Sequence, residues 1–349
     1  MINGKIYQRR QSVKKLFLVL VCISFTVCLF ASPFGGVNEA KAELRGSITL
    51  YTSETLTDVQ DLANAFMQEN KKAKVNIYRS GTVEVTAKLQ AEMEADSIRA
   101  DVLWFADMAM FEDLGQKGLL VKTNIPEARN IPQHYIYMDG MAYEVRLIFQ
   151  IIAYNTDKVK KPVKGWKDLL DPAYRGKIGS ASALYSGATL TQVTTLAKDP
   201  NFGWDYYRKL KANDCKIVKG NGGVARNVAT GEYHLGITID FMARDLIEKG
   251  SPVAYVYQEE GAVYIPTPIG IMSATQNREI AEAFINFVLG IEGQKILLSN
   301  GYVPLNKNAP MPEGVPSPAD IKVLKTDFQY LKNNRDEIRN TWGEIMGAM

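Results

Sequence analysis

Apolar and polar positions along the chain switch between two periods. Ser47 to Tyr51 is a short apolar run that predicts a buried strand, and Leu56, Val59, Leu62, Phe66 and Met67 then recur at helical spacing. The same pair of patterns returns twice. Lys74 to Tyr78 predicts a strand and Val83 to Met93 a helix; Asp101 to Phe105 predicts a strand, with a helix over Met108 to Gly115. Alternation of this kind predicts parallel-rich sheets flanked by helices. A second series runs from Gly176 to Tyr257. Beyond it, Glu279 to Leu298 predicts one amphipathic helix with Ile280, Phe284, Phe287, Val288 and Ile291 inward. Pro318 to Met346 predicts a helical tail interrupted near Asn333 and Asn334.

The first 42 residues follow neither period. Lys5, Arg9, Arg10, Lys14 and Lys15 precede an apolar run from Leu16 to Ala31, and a looser stretch closes on Ala40-Lys41-Ala42. Charge, apolar run and small-x-small in that order are the layout of a secretory signal peptide, cleaved after Ala42. The run falls short of the about 20 apolar residues that span a bilayer. The residues before Cys22 and Cys28 lack the small side chains of a lipoprotein cleavage site. This segment holds six of the 41 basic residues and one of the 38 acidic ones, which leaves 35 and 37 and a net charge of −2. The formal +3 of the whole chain therefore belongs to the leader, and no clustered basic surface for nucleic acid remains. Of three cysteines only Cys215 lies beyond the leader, so no internal disulfide is expected. His134 and His234 are the only histidines, a poor supply for zinc or for histidine catalysis. A remainder of 307 residues is long enough to bury two cores.

The stretch from Arg146 to Lys177 contains Tyr154-Asn155, then Trp166, Asp168 and Leu169, then Asp171, Pro172, Gly176 and Lys177. In this order it resembles the hinge and second-lobe start of the periplasmic ferric-ion-binding proteins and their relatives that bind phosphorylated or phosphonate solutes. Further matches are Ile48–Thr55, Arg79–Glu92, Arg99–Asp107, Gly231–Asp240 and Ile296–Ala309, so the likeness spans nearly the whole chain beyond the leader. It implies a two-lobed periplasmic binding fold with crossover hinge strands, residues 43–150 plus 270–349 forming one lobe and 151–269 the other. It also implies a monomeric solute-binding subunit in the periplasm that serves the membrane permease and ATPase subunits of an ABC importer, with no enzymatic activity and no cofactor. The crossover segments are expected near Gln150 to Tyr154 and Ala262 to Gly270.

The cleft of such a fold would be lined by helix starts. Ser80-Gly81-Thr82, Ser186-Gly187-Ala188-Thr189 and Asn221-Gly222-Gly223 each open a helix with small or hydroxylated residues. Helix N-termini carry unpaired N–H groups and partial positive charge, and three of them could converge on an oxyanion. The same residues are also the usual helix caps, and capping explains each one singly. Ser53 and Thr55, in the opening segment, are further candidates, as are Asp107 and Asp240 at the carboxyl ends of strands, where open α/β sheets bind ligands. An N-cap role is the alternative for both aspartates. Tyr51, Tyr185, Tyr257 and Tyr264 are candidate walls.

Departures from the ferric-ion pattern matter for the solute. The vicinal tyrosines that ligate iron in that family correspond to Asp240-Phe241 here; its histidine would fall near Thr55 and its glutamate near Ala106. Tyr206-Tyr207 is a vicinal pair in another place. A phosphate ester or phosphonate, such as an aminoalkyl phosphonate or a sugar phosphate, is therefore expected, with no metal, and ferric iron is the alternative. A rival from another class is an NAD-linked oxidoreductase: Gly220-x-Gly222-x-x-Ala225 has Asp240 about 20 residues on, nominally a dinucleotide fingerprint.

Overall fold

The computed structural model describes residues 43–347; the signal peptide and cleavage after Ala42 expected from the sequence lie outside them. Within these residues no helix is long and apolar enough to cross a membrane. The chain opens with β1 (Gly46–Thr52), α1 (Leu56–Glu69), β2 (Ala73–Arg79), α2 (Thr82–Glu94), β3 (Val102–Trp104) and α3 (Met108–Gln116). It continues through β4 (Ile136–Tyr137), β5 (Ala142–Glu144), β6 (Arg146–Leu147) and β7 (Phe149–Asn155). The next series is β8 (Ile178–Ala181), α4 (Gly187–Lys198), α5 (Gly203–Ala212), β9 (Lys216–Val218), α6 (Asn221–Ala229), β10 (Leu235–Ile239) and α7 (Asp240–Glu248). Strands β11 (Val253–Val256), β12 (Val263–Tyr264) and β13 (Pro268–Ile271) lead to α8 (Arg278–Leu289), α9 (Ile291–Ser299), β14 (Val303–Pro304) and α10 (Phe328–Met346).

Two mixed sheets result. The first has the order β2-β1-β3-β13-β5-β4 and the second β11-β7-β10-β8-β9, with β12 on β7. Each has a parallel half, β2-β1-β3 and β10-β8-β9, and an antiparallel half built by strands arriving from elsewhere in the chain. The period-two pattern explains how the first sheet buries both faces. Ile48 and Leu50 pack with Val59, Leu62 and Phe66 on one face, where the Phe66 and Phe284 rings meet edge to face at 5.4 Å. Tyr51, Leu103 and Phe105 pack with Val85, Leu89 and Phe111 on the other.

The chain crosses between sheets twice. It leaves the first after Glu144 and joins the second at Phe149; it returns between Tyr264 and Pro268. The first crossing thus precedes the Gln150–Tyr154 segment expected from sequence, because those residues are all paired inside the second sheet with β10 and β11. The helix expected over Glu279 to Leu298 is two helices, α8 and α9, separated at Gly290. The tail is kinked at Asn334, whose φ of −125° is not helical. This helix, α10, was expected with the first lobe, yet it lies against α4 and α5 of the second as well as α3 of the first. That sandwiching explains why α4 is buried from Gly187 to Leu196 despite its threonines: Thr194 and Thr195 return their hydroxyls to the carbonyls of Leu190 and Thr191 at 2.8 Å.

Candidate functional site

Both parallel halves end at one cavity of about 1030 Å³, at the large end of the range for small-molecule sites. On the first-lobe side β1 stops at Thr52 and the loop Ser53–Thr55 leads into α1. Arg79, the last residue of β2, is in register with Thr52. Its guanidinium donates to the carbonyls of Glu54 (2.8 Å) and Ser53 (3.3 Å), so it holds this loop, and it reaches the Tyr185 hydroxyl of the second lobe at 3.4 Å. Gly81 caps α2, and the Tyr185 ring packs so closely over it that any Cβ there would fall within 2.4 Å of the ring.

On the second-lobe side Ser186 caps α4, accepting from Thr189 N at 3.2 Å, and takes a second hydrogen bond from Asn221 Nδ2 at 3.0 Å. Asn221 opens α6, and Gly220, just before it, is the cap. Behind it, Gln150 Nε2 donates to Asn221 Oδ1 at 3.4 Å and the Thr238 hydroxyl to its carbonyl at 3.0 Å. The first turns of α4 and α6 are thereby tied together with their N–H groups toward the cavity end of the sheet.

Of the candidates read from sequence, Ser53, Thr55, Gly81, Thr82, Ser186, Ala188, Asn221, Gly222 and Gly223 line the cavity. Ser80 instead donates its hydroxyl to Glu84. Gly187 lies under the first lobe, where a Cβ would meet the Ala106 carbonyl oxygen at 2.2 Å. Thr189 is wholly buried, and its hydroxyl has no partner among the described residues.

Both aspartates require correction. Asp107 caps α3 through Met110 N at 3.0 Å and binds Arg335, so its carboxylate faces the tail helix. Asp240 is fully buried; it accepts from Phe149 N (3.1 Å), Arg244 Nη1 (2.9 Å) and the Tyr257 hydroxyl (3.1 Å). It reaches neither the cleft nor a ribose pocket, which removes the acidic residue that the dinucleotide fingerprint needs. Of the tyrosines only Tyr185 is a wall. Tyr51 donates to Glu92 at 2.8 Å, Tyr257 to Asp240, and Tyr264 to Glu144 at 2.7 Å.

The charged lining was missed. Arg79, Lys219, Arg226 and Lys249 border the cavity, as do Glu54, Asp58 and Asp245. A signal was present: Arg79-Ser80-Gly81 and Lys219-Gly220-Asn221 each put a cation between a strand end and a helix start. Lys219 Nζ stands 4.4 Å over the Tyr185 ring and 3.3 Å from Glu84 of the first lobe. The hydrogen bond from Ser80, reinforced by Lys219, holds the Glu84 carboxyl below its usual range. Arg226 folds back beside Gly222, where a Cβ would meet Nη1 at 3.4 Å.

A ferric ion wants phenolate and carboxylate oxygens at the cleft. Tyr206 and Tyr207 are buried on α5; the Tyr206 hydroxyl donates to the Trp166 carbonyl (3.1 Å), the Tyr207 hydroxyl accepts from Gln192 Nε2 (2.9 Å), and burial pushes both phenols well above their ordinary range. No group of three or more His, Cys, Asp or Glu suited to a metal occurs among the described residues.

Comparison with known proteins agrees with this architecture. An uncharacterized protein of Haemophilus influenzae is 25% identical over 335 residues, covering 88% of this chain and 92% of its own. Iron uptake protein A1 of Synechocystis is 25% identical over 327 residues, covering 85% and 88%. The periplasmic binding protein AfuA of Actinobacillus pleuropneumoniae, with fructose-6-phosphate bound, superposes with a TM-score of 0.78 over 87% of this chain and 99% of that one, at 24% identity. Iron-bound HitA of Pseudomonas aeruginosa does so with 0.74 over 86% and 99%, at 22% identity. Such structural likenesses show the two-lobed fold. The family model of bacterial extracellular solute-binding proteins matches residues 97–334, and the chain belongs to that family, one of binding proteins and not of enzymes.

Proposed function

We propose that this chain is the solute-binding component of an ABC importer, exported by cleavage after Ala42 and working in the periplasm. It closes its lobes on a small organic anion with a phosphate ester or phosphonate group. The observation that carries this reading is the convergence of α2, α4 and α6 N-termini with Arg79, Lys219 and Arg226 on one cavity. Helix N-termini and guanidinium groups suit phosphoryl oxygens, whereas neither can ligate a bare cation. The AfuA relative with fructose-6-phosphate bound supports the same solute class.

Ferric iron is the second reading, favoured by the name of the Synechocystis relative. The buried, hydrogen-bonded Tyr206 and Tyr207 speak against it. Titration calorimetry decides between the two. Phosphate esters and phosphonates should bind, and Arg226→Ala should weaken them about 10- to 100-fold, the worth of one charged hydrogen bond. Tight Fe³⁺ binding with a charge-transfer colour, and no binding of any phosphoryl solute, would overturn the proposal.

A further inference from the structure

The cavity also carries acidic groups, opposite in charge to its cations and helix starts. Glu54 and Asp58 line it, and each is only 7% exposed. Asp58 Oδ2 accepts from the Tyr302 hydroxyl at 2.6 Å and Oδ1 from the Thr57 hydroxyl at 3.1 Å. Glu54 Oε2 takes the Arg146 guanidinium, while Oε1 has no partner among the described residues. Arg146 lies 4.3 Å over the Tyr302 ring and donates to the Thr267 hydroxyl at 2.9 Å. Two carboxylates thus stand against one guanidinium, and each carboxylate retains lone pairs beyond those already used.

Asn300, two residues before Tyr302, lines the same cavity, and its Nδ2 is buried with no partner among the described residues. A buried donor left without a partner is destabilising, so a ligand atom that satisfies it is favoured. Phe241, on the second lobe, stacks on Tyr302 at 3.9 Å and fixes that phenol toward Asp58.

Spare acceptors beside a spare donor suit a group that both donates and accepts. An ammonium only donates, and an alkyl chain does neither; a hydroxyl does both. We infer that Glu54, Asp58 and Asn300 read the hydroxyl groups of the solute's tail, so that the preferred class is a polyhydroxylated phosphate ester. This rests on the phosphoryl reading proposed above and assigns the acidic and amide lining that reading leaves unused.

Calorimetry with fructose 6-phosphate, glucose 6-phosphate, n-hexyl phosphate, 6-aminohexyl phosphate and inorganic phosphate tests it. A sugar phosphate should bind about 10- to 100-fold more tightly than hexyl or aminohexyl phosphate. Asp58→Asn should remove most of that gap while changing inorganic phosphate affinity less than about twofold. Asn300→Leu, at a half-buried loop position, repeats the test if Asp58→Asn fails to fold. Equal affinity for sugar and alkyl phosphates, or an equal loss for every phosphate in either variant, overturns the tail assignment and leaves the phosphoryl reading standing. Tighter binding of the aminohexyl compound overturns it in favour of an amine. If no phosphate compound binds, inorganic phosphate included, the phosphoryl reading fails and this inference with it.

Discussion

Arg335, just past the kink in α10, closes its guanidinium on both carboxylate oxygens of Asp107, the residue that caps α3. The contact at Oδ1 is 2.7 Å, and the Asp107 side chain is 3% exposed. This ion pair, with Lys332 bonded to Gln116 (2.7 Å) and beside Asp113 (3.5 Å), fastens the tail helix to α3 of the first lobe, while the same helix also lies along α4 and α5 of the second. Ala106, the neighbour of Asp107, lines the cavity. The carboxylate next to the cleft is thus turned away from it by a partner more than two hundred residues downstream.

Removing one member of such a pair leaves a buried charge uncompensated, at a cost of roughly 3–5 kcal/mol for a fully buried pair. Arg335 is 22% exposed, so the cost here should be nearer the lower figure, about 3 kcal/mol. Arg335→Ala should lower the urea midpoint accordingly and leave solute affinity within about threefold. A selective loss of affinity with unchanged stability would instead place Asp107 among the solute contacts.

Asp240→Ala should behave the same way. Its carboxylate ties the Phe149 amide at the start of β7 to Arg244 on α7, and Arg244 in turn reaches the Gly301 carbonyl at 2.8 Å. With Asp240 gone, an 8%-exposed guanidinium loses its counter-charge, which should cost about 3–5 kcal/mol. Asp240→Asn, which keeps the Phe149 bond, should cost less. Chemical denaturation of both variants checks the order.

The parallel halves of both sheets were legible because Ile48, Leu50 and the α1 stripe obey simple periods. The antiparallel halves were not: β5, β7 and β13 are paired by contacts across more than eighty residues, which local pattern does not carry. The helix starts were legible from Ser186, Asn221 and Gly81, whose residue types suit both a cap and a ligand. Asp240 was misread because a strand-end carboxylate is ambiguous until its neighbours are known, and Arg244 sits one helical turn on, at a spacing that pairs charges on any helix. Gly290 splits α8 from α9 within an unbroken apolar stripe, a break that a glycine only weakly signals.

Cys215 offers a reporter of unfolding. Burial pushes its thiol up to about 12. A free thiol with a pKa near 8.5 is roughly a quarter thiolate at pH 8, and a buried one at this value only about one part in ten thousand. The native protein should therefore react with a thiol reagent at least about a thousandfold more slowly than the unfolded chain. The neutral thiol's contribution to stability is complete below the ordinary thiol value and is lost as pH rises through about 12. Cys215→Ala should flatten that alkaline loss in denaturation curves taken at increasing pH, and fast labelling of the native protein at pH 8 would contradict the burial.

Gly187 tests lobe closure most directly. It opens α4, its backbone conformation is one that any residue adopts, and alanine there should not weaken the helix. Yet an added Cβ would lie 2.2 Å from the Ala106 carbonyl oxygen and 2.8 Å from Thr82 Cγ2, both on the first lobe. A non-bonded carbon needs over 3 Å, so the lobes must part by on the order of 1 Å at this edge. The Tyr185 ring over Gly81 and the Lys219–Glu84 ion pair lie on the same edge and would be stretched with it. A solute held by both lobes pays for a closed state that is now less populated, and its apparent affinity falls by that fraction. Gly187→Ala should therefore melt no lower than the parent without solute, bind a phosphate ester at least about tenfold more weakly, and show a larger radius of gyration in its presence by small-angle scattering. Unchanged affinity together with an unchanged scattering profile would mean that this interlobe contact has no part in closure.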